Sequence, residues 1–285
     1  MALLGKKKVS RSNGGNIMII LFLLIIGLVM AVPLVYTILQ SLKPLDEIFI
    51  FPPRFWVKRP TFHNFKMLST LTSNLWVPFS RYLFNSLFVT IGTTVLQVVF
   101  ASMAAYPLSK HKFPGREFLF NMVVLALLFS YQVVALPQYI LVSVLGLVDS
   151  YWSLIMPCVA YPLGLYLMKQ NMMSFPDSVI ESARIDGASE AHVFWQIVMP
   201  SMKPVWMTMI VFSFGELWNR SDATYIYSEQ MKSLPTLLST IAAGGISRMG
   251  ASAAIAVVLM IPPILIFLFT QSNVIETMAS SGMKD

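Results

Sequence analysis

The chain alternates between long apolar runs and short charged stretches. Five stretches carry no charged residue at all: 12–42, 82–109, 118–148, 150–168 and 249–275. A bilayer core about 30 Å thick takes about 20 helical residues, so each stretch is long enough to hold one spanning helix. A sixth segment, 204–227, starts apolar and then carries Glu216, Arg220 and Asp222, which predicts a span whose outer half faces protein or water. Barrel strands would alternate over about 10 residues, and these runs do not alternate. The pattern predicts an all-α integral membrane protein of six transmembrane helices. The first is expected from about Ile17 to Leu39, with Pro33 as a candidate kink. A basic start before an apolar run also fits a signal peptide, but the run is too long and no small-residue cleavage site closes it.

Loop charge sets the expected orientation. Lys6, Lys7, Lys8 and Arg11 precede the first span, and KHKFPGR joins the second to the third, whereas VSVLGLVDSY after the third has no Lys or Arg. With six spans both termini are then cytoplasmic, in a plasma membrane. The external segment 43–81 is basic too, but it is long, and long loops count for little; its FHNFKMLST stretch predicts a short interfacial helix. The expected layout is a basic N-terminus (1–16), a first helix with its external segment (17–80), a five-helix core (81–272) and a cytoplasmic tail (273–285).

Composition narrows the chemistry. Only 12% of residues are charged, about half the usual share, so the net charge of +7 reads as basic membrane flanks rather than a nucleic-acid surface. One cysteine, Cys158, excludes an internal disulfide, and His63, His111 and His192 lie far apart, so no metal site is expected. No GxxxxGK[ST] phosphate loop is present, so any energy from ATP must come through a partner.

The connection 171–204 is the longest and most acidic on the cytoplasmic side. Ser174 is placed to cap a helix with Pro176 and Asp177 in its first turn, ending near Ile185. Asp186-Gly187 breaks it, Ser189 caps a second short helix, and Pro200 follows that one. Val179, Ile180 and Ala183 share one apolar face, and Val193, Phe194, Ile197 and Val198 another. Helices too short to span must bury such faces in their own bundle, at the membrane surface or in a cytoplasmic partner.

The string ESARIDGASEAHVFWQIVMP resembles the EAA loop of permease subunits of binding-protein-dependent ABC importers. Glu181, Ala183, Asp186, Gly187, Ala188, Ile197 and Pro200 match that signature; Ser182 and Met199 depart from it by small or volume-conserving changes. RYLFNSLFVT, AAYPLSKHKFPGRE, LGLVDSYWSLIMP, LWN and the tail SNVIETMASSGMKD are similar to carbohydrate importers of the maltose-permease type, specifically their second permease subunit. The resemblance implies a type I importer fold and an oligosaccharide substrate moved by alternating access. It also implies a second permease subunit, a dimer of ATP-binding subunits that hold ATP and Mg, and an extracytoplasmic solute-binding protein. The chain itself would bind no cofactor and perform no catalysis. Glu181 would pair with a basic residue of the ATPase, Gly187 would supply the turn, and Phe194 and Ile197 would plug its socket, unless they pack under the bundle. The segment SEQMKSLPTLLSTIAAGGISRMG corresponds to the loop that reaches toward the binding protein, and the tail to one that lies near the ATPase dimer.

The polar end of the fifth span offers a substrate path. Glu216 and Arg220 are spaced to pair with each other as i, i+4 neighbours. Trp218, Asn219, Asp222 and Tyr225 supply the aromatic faces and hydrogen-bonding groups that sugars use, although Trp and Tyr also serve as interface anchors. Prolines and glycines inside the runs (Pro33, Pro137, Pro157, Pro162, Gly164, Pro262, Pro263) suit bent helices around a path, and membrane helices also simply tolerate them. Basic outer segments would suit an acidic sugar such as an alginate or pectin fragment; unspecific surface charge is the preferred account. A permease for a non-sugar solute, a membrane-embedded enzyme and a structural scaffold are the alternative readings.

Overall fold

The computed structural model describes residues 13–73 and 76–282, and side chains over 15–72 and 76–272. The expected basic N-terminal cluster therefore lies outside the described residues, as do the side chains of the tail. Every regular element among the described residues is helical. In chain order these are α1 (Asn13–Leu42), α2 (Leu45–Ile48), α3 (His63–Ser73), α4 (Phe79–Lys110), α5 (Arg116–Ala126), α6 (Tyr131–Val144) and α7 (Tyr151–Val159). There follow α8 (Pro162–Met173), α9 (Asp177–Ile185), α10 (Glu190–His192), α11 (Met199–Ser201), α12 (Lys203–Trp218), α13 (Leu234–Ala242) and α14 (Met249–Gly282). A π-helical turn, Val193–Val198, joins α10 to α11 into one rod.

Four helical stretches are long and apolar enough to cross a bilayer: Gly15–Leu42, Phe79–Lys110, Tyr151–Met173 and Ile246–Ser272. The third apolar run is bent, and a bend precedes the segment 204–227. α5 and α6 meet at 108°, and the Glu190–Ser201 rod meets α12 at 76°. The protein is thus a multi-pass membrane protein with four long helical stretches, of which Tyr151–Met173 is interrupted at Tyr161, and two bent helix pairs. α1 runs through Pro33 to Leu42, three residues past its expected end, and leaves Ile17, Met18, Phe22, Val29 and Met30 exposed to lipid.

Local chemistry explains the breaks. Pro162 disfavours helical backbone at Tyr161, which is extended (φ −116°, ψ 90°), so α7 and α8 part there. Pro204 starts α12 after the turn at Met202. The prolines also strand carbonyls. Cys158 O has no N–H four residues on, because that residue is Pro162; Gln97 Nε2 of α4 donates to it at 2.6 Å. Leu259 O is stranded by Pro263 in the same way, and Trp218 Nε1 donates to it at 2.8 Å.

Asn64 of α3 fixes the sidedness of the termini. Its Nδ2 donates to Ser41 O and Lys43 O, both at 2.8 Å, at the end of α1. Gly250, at the start of α14, approaches the same amide so closely that a Cβ there would lie 2.4 Å from Asn64 Oδ1. α1 ends where α14 begins, so the other ends of these two helices, those toward the chain termini, lie at the opposite face. Two apolar cores follow from this arrangement. One joins Leu68, Tyr82, Phe214, Trp218, Leu234 and Ile255 at the α3 face. The other joins Tyr106, Met168, Met172, Ile180, Val193, Phe194, Val198 and Met209 at the far end of α4.

Candidate coupling surface and translocation cleft

The short-helix hairpin sits at the face that carries the ends of α4 and α8. α9 ends in paired hydrogen bonds, from Gly187 N to Arg184 O at 3.0 Å and from Ala188 N to Ala183 O at 2.9 Å. This double closure needs a left-handed residue between the helices, and Gly187 has φ +84°. Ser189 Oγ then accepts from His192 N at 3.3 Å and caps the second rod. Two expected boundaries move. Ser174 ends α8 rather than starting α9, which Pro176 precedes. Pro200 lies inside the rod, in α11, because the chain bends only at Met202.

Ala183, Asp186, Gly187, Ala188 and Ile197 line one open concavity with Ser189 and His192. Glu181 and Pro200 are exposed beside it. Among the described residues Glu181 makes no ion pair. Phe194 differs from the expectation of an outward plug. It is buried at 6% exposure and packs against Tyr106 (ring centroids 5.3 Å apart), because the apolar face of the rod turns into the bundle.

Sequence reasoning missed the groups that rivet this hairpin down. Glu190 accepts from Tyr106 Oη at 3.0 Å and from Arg184 Nε at 2.7 Å, with His111 Nε2 at 3.7 Å. Arg184, and then Tyr106, hold the Glu190 carboxyl below its ordinary range against a smaller desolvation penalty. Lys110, at the end of α4, donates to Phe175 O and Asp177 Oδ1, both at 2.6 Å. Asp177 is held low chiefly by Lys110. Apart from Arg184 and Glu190, which are six positions apart, these partners are 65 to 84 positions apart, so no local pattern announces them.

A second concavity opens between the two apolar cores, where α5–α6 and α7–α8 both break. Its lining includes Gln97, Tyr131, Gln138, Tyr161, Glu216 and Arg220, around a cavity of about 470 Å³. Gln138 Oε1 is buried there with no hydrogen-bond partner among the described residues. α12 stops at Trp218, and Asn219 closes it by donating to Gly215 O at 2.8 Å.

The helix end divides the expected path residues: Trp218, Asp222 and Tyr225 line a small cavity with Arg220, whereas Glu216 lines the larger one with Arg220. Glu216 and Arg220 do not pair within 4 Å, since Arg220 has left the helix and points to Cys158 Sγ (2.8 Å). Trp218 is 1% exposed, stacks on Phe214 and binds Leu259 O, so its face is not free for a sugar. Asp222 is buried in the following loop. It accepts from Ser233 N and from Thr236 Oγ1, which anchors the loop to α13. Tyr225 is also buried; its backbone carbonyl accepts from Asp149 N at 2.9 Å. Glu216 and Asn219 remain exposed.

The outer loop is tied back at several points. Asp149 Oδ1 accepts from Tyr227 N (3.0 Å) and Ser228 N (2.8 Å). Asn85 Nδ2 donates to Gln230 O and Lys232 O, both at 2.9 Å. Leu234, Leu237 and Ile241 bury α13, so only 242–247 form an exposed run beside it.

Helices broken at mid-depth around a polar cleft, with a rigid helical hairpin at one face, define a membrane transport component rather than an anchor. The comparisons agree. Residues 97–279 match the family model described as "Binding-protein-dependent transport system inner membrane component", and the chain belongs to that family. It is 32% identical to Protein LplC of Bacillus subtilis (strain 168), over 93% of each chain. It is 30% identical to the arabinooligosaccharides transport system permease protein AraQ of the same organism, over 94% of this chain and 96% of the relative. The fold matches a chain from the crystal structure of a bacterial ABC transporter involved in the import of the acidic polysaccharide alginate. That match has TM-score 0.78 and 22% identity, and covers 93% of this chain and 99% of the other.

Proposed function

We propose that this chain is one of two permease subunits of an ATP-driven importer that moves an oligosaccharide inward by alternating access. A solute-binding protein delivers the sugar at the α3 face, where the exposed residues 242–247 offer a contact. The hairpin at the opposite face docks on a separate ATPase dimer through Glu181, Ala183, Asp186, Gly187, Ala188, Ile197 and Pro200. The observation that carries this reading is the hairpin itself. It presents one open concavity outward, while Phe194, Val193 and Ile180 lock it to α4 and α8. A socketed rod fixed in this way passes an ATPase movement to the spans as a lever. The carbohydrate class is supported by the similarity to AraQ. Glu216 and Asn219 are the path residues retained from the fifth run, with Arg220, Gln138 and Tyr131 added.

The test is uptake of labelled oligosaccharides by cells with and without this chain, together with ATPase assays of the purified complex. Glu181→Lys should leave the complex assembled while sugar moved per ATP falls. Normal transport by that variant would refute the docking role.

A further inference from the structure

We infer that Arg220 makes the cleft selective for an anionic oligosaccharide, one whose sugar rings carry carboxylates. The inference rests on the proposed sugar-import function and deepens it. Arg220 lies two residues past the end of α12 and reaches inward to Cys158, near the break between α7 and α8. Its guanidinium sits over the ring of Tyr131, 4.3 Å from the centroid, with Nη1 2.8 Å from Cys158 Sγ. Tyr131 also offers its hydroxyl; a thiol is a weak acceptor and a ring face is a partial one, whereas a guanidinium carries five N–H donors. No carboxylate lies within 4 Å of it among the described residues. Glu216 lines the same cleft without pairing, and Asp222 spends its oxygens on Ser233 and Thr236.

A cation that no carboxylate contacts, in a membrane-embedded polar cleft, is costly and is ordinarily matched by a charge that arrives with function. The shape of the site suits a sugar acid. Tyr131 holds one face of the guanidinium, which leaves its edge for a carboxylate, the geometry in which arginine bonds bidentately. Tyr131 and Tyr161 give apolar faces for sugar C–H groups, and Gln138 Oε1 gives an unused acceptor for a hydroxyl.

The experiment uses the complete importer, with its sister permease, ATPase and binding protein, reconstituted in liposomes. Uptake of tetragalacturonate and of neutral arabinotetraose is measured for wild type, Arg220→Gln and Arg220→Lys, alongside binding-protein-stimulated ATPase and the affinity of the binding protein alone. Loss of a charge-assisted bidentate pair should lower tetragalacturonate uptake by Arg220→Gln about ten- to hundredfold at unchanged binding-protein affinity. Arg220→Lys, which keeps the charge but not the fork, should fall between the two. Wild-type tetragalacturonate uptake by Arg220→Gln overturns the inference, and so does an equal loss for both sugars. If wild type moves arabinotetraose but not tetragalacturonate, the inference fails and the sugar-import reading stands. If it moves neither while its stimulated ATPase is intact, the sugar-import reading itself fails.

Discussion

Replacing Gly187 with alanine isolates the mechanical part of the proposal. Gly187 joins α9 to the second rod at φ +84°, and a Cβ built there meets no atom within 4 Å. The penalty is therefore backbone strain alone, about 1–2 kcal/mol for an L-residue in the left-handed region. Alanine also restricts the unfolded turn, which returns about 0.4–1 kcal/mol. A net cost of about 1 kcal/mol lowers the closed-turn population about fivefold relative to open forms. Nothing in the two apolar cores changes, so the complex should assemble normally. Amide exchange at Gly187 and Ala188 should accelerate by about that same factor. Sugar moved per ATP should fall with it, and Gly187→Asn should be milder because asparagine tolerates this conformation. Wild-type coupling in Gly187→Ala, with faster exchange at those amides, would show that the turn is not part of the lever. Unchanged exchange would refute the strain argument.

Two further outcomes follow from the anchors. Glu190 is held below its ordinary value of 4.5 by Arg184 and Tyr106. A depressed carboxylate stabilises the fold fully above the unfolded value and loses that contribution as pH falls through the folded one. Exchange protection of the hairpin should therefore drop below about pH 4.5 in wild type and lose most of that pH dependence in Glu190→Gln; an unaltered profile in the variant would sink the claim. Because Glu190 is half exposed, the expected effect at neutral pH is only about 1 kcal/mol. Asp222→Ala removes the acceptor for Ser233 N and Thr236 Oγ1 in a buried setting. It should destabilise the outer loop by about 1–3 kcal/mol, read as a lower Tm of the purified complex and weaker binding-protein affinity, whereas an unchanged Tm would contradict the anchor.

Hydrophobic run length and helix punctuation were enough to read much of this protein from its residues alone. A run of about 20 apolar residues has one stable solution in a bilayer, so the number and place of the spans are local information. The hairpin 177–201 was legible for the same reason, because Gly187 and Ser189 act on their immediate neighbours. Tertiary structure decided what depends on distant partners. Run length does not encode bends, so the 108° turn between α5 and α6 inside one apolar run is decided by the folded structure. The i, i+4 pairing of Glu216 with Arg220 assumed a helix that ends at Trp218. The inward turn of Phe194, the burial of Trp218 under the carbonyl that Pro263 strands, and the Glu190–Tyr106 rivet all depend on contacts across many tens of residues. A side chain's availability is set by what packs against it, and packing is a property of the folded bundle.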